Sequence, residues 1–398
     1  AEKRDHRKLG RTLGLFFFDP IAPASPFFLP KGAQVMNSLI DYVKELYVKY
    51  GYQEVMTPQI FNTELWKRSG HLDAYSENMY FVDVDEREFG VKPMNCPAAA
   101  MLYLADSHSY RELPMRLADF GRLHRNERSG VTHGLTRVRS FVQDDAHIFC
   151  TLDQIGDEIN SFLKMLSEAY DTLGFDSYRL ELSLRPEKRV GTDEMWDTAE
   201  KALTELLDTS GVEYTSEAGE GAFYGPKIDI FVPDAIGRDW QLGTVQLDFS
   251  LPERFDMEYA AEDGTRQRPV VVHRAMYGSL ERFLGVLIEH LSGAFPLWMA
   301  PVQAVVVPIA DRHIDFCNEV GVKLKAAGIR VSVDDSNDRM NSKIRQAQLQ
   351  KVPYMLVAGD QEIEAGTVAV RTRTGENLDP MTVDEVVDKF LKQIEERS

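Results

Sequence analysis

Between Met115 and Cys150 the chain reads MRLADFGRLHRNERSGVTHGLTRVRSFVQDDAHIFC. Arg116, Arg122, Arg125, Arg137 and Arg139 crowd this stretch, and Phe141, Gln143, Asp145 and His147 follow at every second position. Guanidinium groups offer paired donors to phosphate or carboxylate oxygens, and an aromatic plane offers a stacking surface for a base. The set therefore points to a nucleotide held by side chains rather than by a glycine loop. Further on, GEGAFYGPKIDIFV places Tyr224 and Lys227 among glycines; a close approach of backbone to a ligand and a simple hairpin turn explain the glycines equally well, but the turn gives Tyr224 and Lys227 no reason to be there.

Such groups need rigid carriers. Alternating apolar and charged residues on either side of the polar segment 126–134 predict two long strands joined as a hairpin. On the second arm a period of two puts Arg137, Arg139, Phe141, Gln143, Asp145 and His147 on one face. Val138, Val142, Ala146 and Ile148 take the other. Residues 240–250, WQLGTVQLDFS, predict another strand with Gln241, Gly243 and Val245 alternating. VVVHRAMYGSLERFLGVLIEHL predicts a strand ending at His273, a break at Gly278 and a helix capped by Ser279, with Glu281 and Arg282 in its first turn. An arginine there opposes the helix dipole, so binding explains it better than stability does.

The 398 residues suffice for two or three cores, and 43% apolar with 27% charged residues is ordinary globular composition. A net charge of −18 argues against wholesale coating by nucleic acid but permits a local basic groove. Cys96, Cys150 and Cys317 are widely spaced with no CxxC pair, which favours a reducing, cytoplasmic setting over a disulfide scaffold. The opening AEKRDHRKLG is charged, and no apolar run reaches membrane-spanning length, so no membrane partner is expected.

Helical spacing of Val35, Leu39, Val43 and Leu46 predicts a helix over 31–50, followed by the strand EVMTP; further helices are predicted over 153–173 and 193–208. SGHLDAY holds His71, a loop histidine with no local reason to be buried. In KPMNCP, Pro97 suits the first turn of a helix that begins near Cys96. PLWMAPVQ marks a junction, after which strands at 302–309, 329–334, 354–359 and 367–373 alternate with helices near 312–327, 339–350 and 382–396. That order predicts a separate α/β domain with a mostly parallel sheet.

FGRLHRNERSG with TRVRSFVQDDAHIF resembles motif 2 of the class II aminoacyl-tRNA synthetases, and HRNE with QDDAHIFC resembles the threonyl branch of that family. The helix and strand of residues 31–58 resemble motif 1, and GSLER resembles motif 3. The resemblance implies an α+β fold: a class II antiparallel sheet flanked by helices over 1–300, then an α/β anticodon-binding domain over 301–398. It implies a homodimer through the 31–58 region. It implies ATP, L-threonine and tRNA(Thr) as partners, Mg²⁺ with the ATP, and one zinc ion per subunit.

Carried over by position, Arg125 would hold the α-phosphate and the amino-acid carboxylate, and Glu127 would accept from the adenine amino group. Phe141 would stack on adenine, while Arg137 and Arg282 would steady the outer phosphates. Lys227 would join Arg125, Arg282 and His71 as catalytic residues, His71 near the tRNA terminus. Cys96, His147 and His273 would hold the zinc, with Asp145 accepting the substrate hydroxyl proton and Gln143 and Tyr224 nearby. Sequence separations that long form no recognisable zinc motif; read alone, each residue is structural. Asn337, Glu362 and Arg371 would read the anticodon.

Where many members of that family read NCPGH, this chain has Asn95-Cys96-Pro97-Ala98-Ala99. It begins about where the catalytic core of the family starts. That implies either removal of an N-terminal editing domain or editing supplied elsewhere. The rival readings are a prolyl-type enzyme, which has no use for the Cys96, His147, His273 and Asp145 set, and a synthetase-like RNA-binding regulator. The latter is disfavoured by the presence of Arg125, Glu127 and Arg282.

Overall fold

A computed structural model describes residues 2–234 and 236–398. They form two compact units. One holds Asp19–Pro26 and Tyr42–Val286; the other holds Phe27–Asp41 and Leu287–Ser398 together with the N-terminal segment through Phe18.

Helix α1, Pro30–Tyr50, buries Val35, Leu39, Val43 and Leu46 as its spacing predicts. The strand expected after it shrinks to β1, Gln53–Glu54. Helix α2, Cys96–Tyr103, has Pro97 in its first turn. The predicted hairpin is built from β2 (Met115–Asp119), β3 (Arg122–His124) and β4 (Ser140–Cys150). Its first arm is interrupted at Phe120–Gly121, yet β2 and β3 keep one register against β4. Gly121 lies tight against buried side chains there: a Cβ would lie 2.4 Å from the Lys92 ammonium and 2.8 Å from the Asn95 Oδ1, so both would have to shift to admit a larger residue. The connection is longer than predicted, since β4 starts only at Ser140 and Arg137 and Arg139 precede it.

Helix α3 (Ile155–Thr172), β5 (Arg179–Ser183), helix α4 (Asp193–Ser210) and β6 (Tyr214–Glu217) follow, and then β7 (Lys227–Pro233), β8 (Asp239–Asp248) and β9 (Val270–Ser279). The sheet runs β6-β5-β7-β8-β9-β4-β2-β1, with β3 beside β4. Only the outer pairs β5/β6 and β1/β2 are parallel. Ile159, Phe162, Met165 and Leu166 of α3 are buried, and Leu166 reaches Gly243 of β8.

Three expectations are corrected. β9 does not end at His273 but continues to Ser279 through a bulge: Gln143 pairs with Ser279 while Asp145 pairs with Ala275. Ser279 still caps the following helix, α5 (Leu280–Leu291), accepting a hydrogen bond from the Arg282 amide at 3.2 Å. In β8 the parity flips, because Ile230 pairs with Gly243 and Phe231 with Gln241, leaving Leu242 unmatched. Gln241 therefore shares a face with Thr244 and Gln246, and Gly243 and Val245 turn into the core. The glycines around Tyr224 admit backbone rather than ligand. A Cβ on Gly225 would sit 1.9 Å from the Leu247 carbonyl oxygen, and one on Gly221 would sit 2.7 Å from that of Leu184.

In the second unit β10 (Ala304–Pro308), helix α6 (Ile314–Ala326), β11 (Val331–Val333), helix α7 (Met340–Leu349) and β12 (Tyr354–Ala358) alternate as predicted. Next come helix α8 (Asp360–Ala365), β13 (Thr367–Thr372), β14 (Met381–Thr382) and helix α9 (Val383–Glu396). The sheet order is β11-β10-β12-β13-β14. It is mixed rather than mostly parallel, since β12/β13 and β13/β14 are antiparallel. The six-residue α8 explains this: it stops at Gly366, φ +67°, too soon for a parallel crossover of a dozen or more residues. Val306, Leu324, Leu356, Val370 and Phe390 form the core on one face, and Val305, Ile344 and Met355 on the other. No helix among the described residues is long and apolar enough to cross a membrane.

Candidate active site

Two hollows open on the sheet of the first unit. One, about 340 Å³, is lined by Arg125, Glu127, Arg137, Phe141, Gln241 and Arg282 among others. The other, about 290 Å³, is lined by Cys96, Gln143, Asp145, Tyr224, His273 and again Arg125. Both also share Gln143, Thr244 and Gln246, so they are neighbours along one sheet face.

Arg125 stands at their junction. Its Nε donates to the Pro93 carbonyl at 3.2 Å, and its guanidinium lies 5.0 Å from the Phe141 ring centre and 5.9 Å from that of Tyr75. Packing thus aims the group without neutralising it. Arg137 donates to the Glu127 carboxylate at 3.0 Å. Arg282 is largely buried with no hydrogen-bond partner for its Nε, and burial together with Arg137 pulls its pKa down. A cation desolvated beside another cation is a poor stability choice and a ready anion site.

The second hollow has Cys96, His147 and His273 beside one another, with one ligand atom from each lying within 4.8 Å of the others. His273 Nε2 meets the Asp248 carboxylate at 2.9 Å, while its Nδ1 and the Nε2 of His147 are buried without partners. Burial alone would raise the Cys96 thiol, but His273 and His147 bring it below its ordinary value; the His273 imidazole is raised by Cys96 and Asp248 against its own burial. Two orphaned nitrogens and a thiol drawn toward thiolate suit a borderline-soft cation such as zinc.

Asp145 is buried and takes a hydrogen bond from Asn95 Nδ2 at 3.0 Å. The Tyr224 hydroxyl donates to Gln246, and its ring stacks on His273 with centres 4.7 Å apart. Lys227 lines neither hollow; its Nζ pairs with Asp229 at 2.6 Å, and Asp229 in turn accepts from Gln241 and Thr244. Asn337 is exposed in the second unit, Glu362 accepts from the Gly359 amide at 2.8 Å, and Arg371 lies on β13 with a buried, unpartnered Nε.

His71 is no solvent-facing loop residue. It opens a short helix, His71–Tyr75, and is 2% exposed, with Nδ1 at 2.8 Å from the Ser69 hydroxyl and Nε2 at 3.4 Å from the Met94 sulfur. Burial first, then the charges of His273 and Arg125, lower its pKa to about 3. An unfolded histidine titrates near ~6.5, so the unfolded chain takes up the proton first as pH falls. His71 thus favours folding above about pH 6.5, and that contribution is lost toward about pH 3. Urea unfolding of His71→Gln is expected to lose stability less steeply than the parent chain between about pH 7 and 5; equal slopes contradict the burial.

Sequence reasoning missed Asn95, Asp248 and Gln246. Thr244, Gln246 and Asp248 share one parity of β8, which was the available signal. The unmatched Leu242 hid it.

Residues 80–291 match the family described as the tRNA synthetase class II core domain (G, H, P, S and T), and residues 303–393 match the anticodon binding domain family. These matches and the site geometry define a class II tRNA synthetase core. Among curated relatives, the threonine–tRNA ligase of Bdellovibrio bacteriovorus is 52% identical over all 398 residues, and that of Thermotoga neapolitana is 50% identical. The chain spans 61% and 62% of their lengths. A crystal structure of the RNA binding domain of threonyl-tRNA synthetase from Cryptosporidium parvum is 46% identical, with TM-score 0.94 and 98% of each chain covered. A putative threonyl-tRNA synthetase from Aeropyrum pernix is 29% identical with TM-score 0.85, covering 99% of this chain and 97% of that one. The chain belongs to the threonyl-tRNA synthetase family.

Proposed function

We propose that this chain activates L-threonine with ATP and transfers it to the 3′ end of tRNA(Thr). The observation that carries this reading is Arg125, shared between an arginine-lined hollow that suits a nucleotide and a hollow that ends at Cys96 and His273. Adenylate formation needs a carboxylate and an α-phosphate brought together, and one guanidinium can hold both.

In that step a threonine carboxylate oxygen forms a bond to the α-phosphorus, and the bond to the bridging oxygen breaks to release pyrophosphate. Phe141 stacks on the adenine, Glu127 accepts from its amino group, and Arg137 and Arg282 bind the outer phosphates, with Mg²⁺ accompanying the ATP. Cys96, His147 and His273 would hold zinc, a Lewis acid with open positions for the substrate's amino and hydroxyl groups. Asp145 accepts the hydroxyl proton, and Gln143 and Tyr224 complete the wall. Lys227 acts through Asp229 on Gln241 and Thr244, and His71 supports the wall near the tRNA terminus. Residues 1–300 serve as the catalytic domain, and residues 301–398 engage the anticodon through Asn337, Glu362 and Arg371. A homodimer through residues 31–58 and a cytoplasmic location complete the reading.

The test is amino-acid-dependent ATP–pyrophosphate exchange with threonine, serine, valine and proline, before and after zinc chelation. Threonine should be activated, serine more weakly, since one methyl is worth roughly 1–3 kcal/mol, and valine negligibly. Chelation should abolish the activity. Proline activation, or threonine activity indifferent to metal, overturns the substrate assignment.

A further inference from the structure

The β9 bulge carries Gly278 and Ser279 to the wall of the nucleotide-sized hollow and starts the helix that presents Arg282. Something must hold two surplus residues in place, and one carboxylate does so. Asp144 lies on the otherwise apolar face of β4 and is fully buried. Its Oδ2 accepts from the Met276 amide at 2.8 Å, and its Oδ1 accepts from the Tyr277 and Gly278 amides at 2.9 and 3.0 Å. From the other side Arg274 lies 3.6 Å from Oδ2 and donates to the Asp144 carbonyl at 2.9 Å. Gly278 needs its φ of +69°, and a Cβ there would sit 2.3 Å from the Leu242 carbonyl oxygen. Met276, Tyr277 and Gly278 are the residues that the β4 ladder skips, so the side chain of Asp144 replaces the hydrogen bonds that the bulge forfeits.

We infer that Asp144 is a positioning residue for the nucleotide: by clamping the bulge it fixes Gly278, Ser279 and Arg282 without itself touching ATP. The inference rests on the reading of that hollow as a nucleotide site. It separates two effects, because Asp145 and His273 of the amino-acid hollow pair in regular register with Ala275 and His147 beyond the bulge, and Gly278, unlike Arg274, lines the nucleotide-sized hollow alone.

The test compares the parent chain with Asp144→Asn and Gly278→Ala, measuring ATP binding by calorimetry and the KM values for ATP and threonine in pyrophosphate exchange. Asp144→Asn keeps one carbonyl acceptor and turns an amide toward Met276. Gly278→Ala disturbs the bulge while leaving the Asp144–Arg274 pair intact. Both should weaken ATP binding and raise the ATP KM by about 10-fold or more, as misplacement by an ångström can, with the threonine KM changed less than about twofold. Unchanged ATP binding in folded protein, or equal rises in both KM values, overturns the inference. A parent chain that binds ATP but activates no amino acid overturns the activity alone, and the calorimetric comparison still decides. A parent chain that binds no ATP overturns both.

Discussion

Arg125→Ala should lower threonine-dependent pyrophosphate exchange by about 10³-fold or more, a loss comparable to removing an arginine that stabilises transferring phosphoryl charge. Arg125 lines both hollows and forms no ion pair among the described residues. Its charge is therefore available, and in the proposed reading it stands where the carboxylate and α-phosphate repel each other most. Because the pentacoordinate phosphorus of the transition state carries more equatorial charge than either ground state, the loss should fall mainly on kcat. Arg125→Lys keeps the charge but not the planar fork, and the stack between Phe141 and Tyr75 fits a plane better than an ammonium. Lysine should recover less than a tenth of the parent rate. Steady-state exchange with both variants decides, and alanine activity within tenfold of the parent removes Arg125 from the reacting centre.

The long helices and the strands that line the two hollows were legible because amphipathic spacing survives in them; α1, α3, α4 and α9 each show the spacing of their buried face. What escaped depends on neighbours that no local pattern names. The parity of β8 flips at Leu242 only because β7 pairs across it. Asp144 interrupts an apolar face, and its purpose is set by amides more than a hundred residues away. The antiparallel turn of β13 follows from the shortness of α8, a helix with no apolar stripe to announce it. Resemblance brought Cys96, His147 and His273 together before any geometry did. The orphaned ring nitrogens then give a physical reason for that grouping, and Asp248, which fixes the far nitrogen of His273, left only the parity of β8 as a trace in the sequence.

Asp145→Ala should collapse the distinction between threonine and valine. The two amino acids have nearly the same shape, so an apolar wall separates them by only about 10²-fold, whereas a buried group that must be paired by the substrate hydroxyl can reach roughly 10⁴–10⁵. Asp145 meets that requirement: it is 8% exposed, Asn95 holds one of its oxygens at 3.0 Å, and the side chain borders the hollow with Cys96 and His273. With valine bound, the carboxylate loses its hydroxyl donor and cannot recover water in its place. Removing the carboxylate relieves that penalty for valine and deletes a hydrogen bond for threonine. The ratio of kcat/KM values in exchange should therefore fall to about 10² or below, mostly through loss of threonine activity. Asp145→Asn, which keeps the shape and one acceptor, should lie between. A ratio unchanged in Asp145→Ala assigns hydroxyl recognition entirely to the Cys96, His147 and His273 cluster, whose metal content in the same variant then serves as the control.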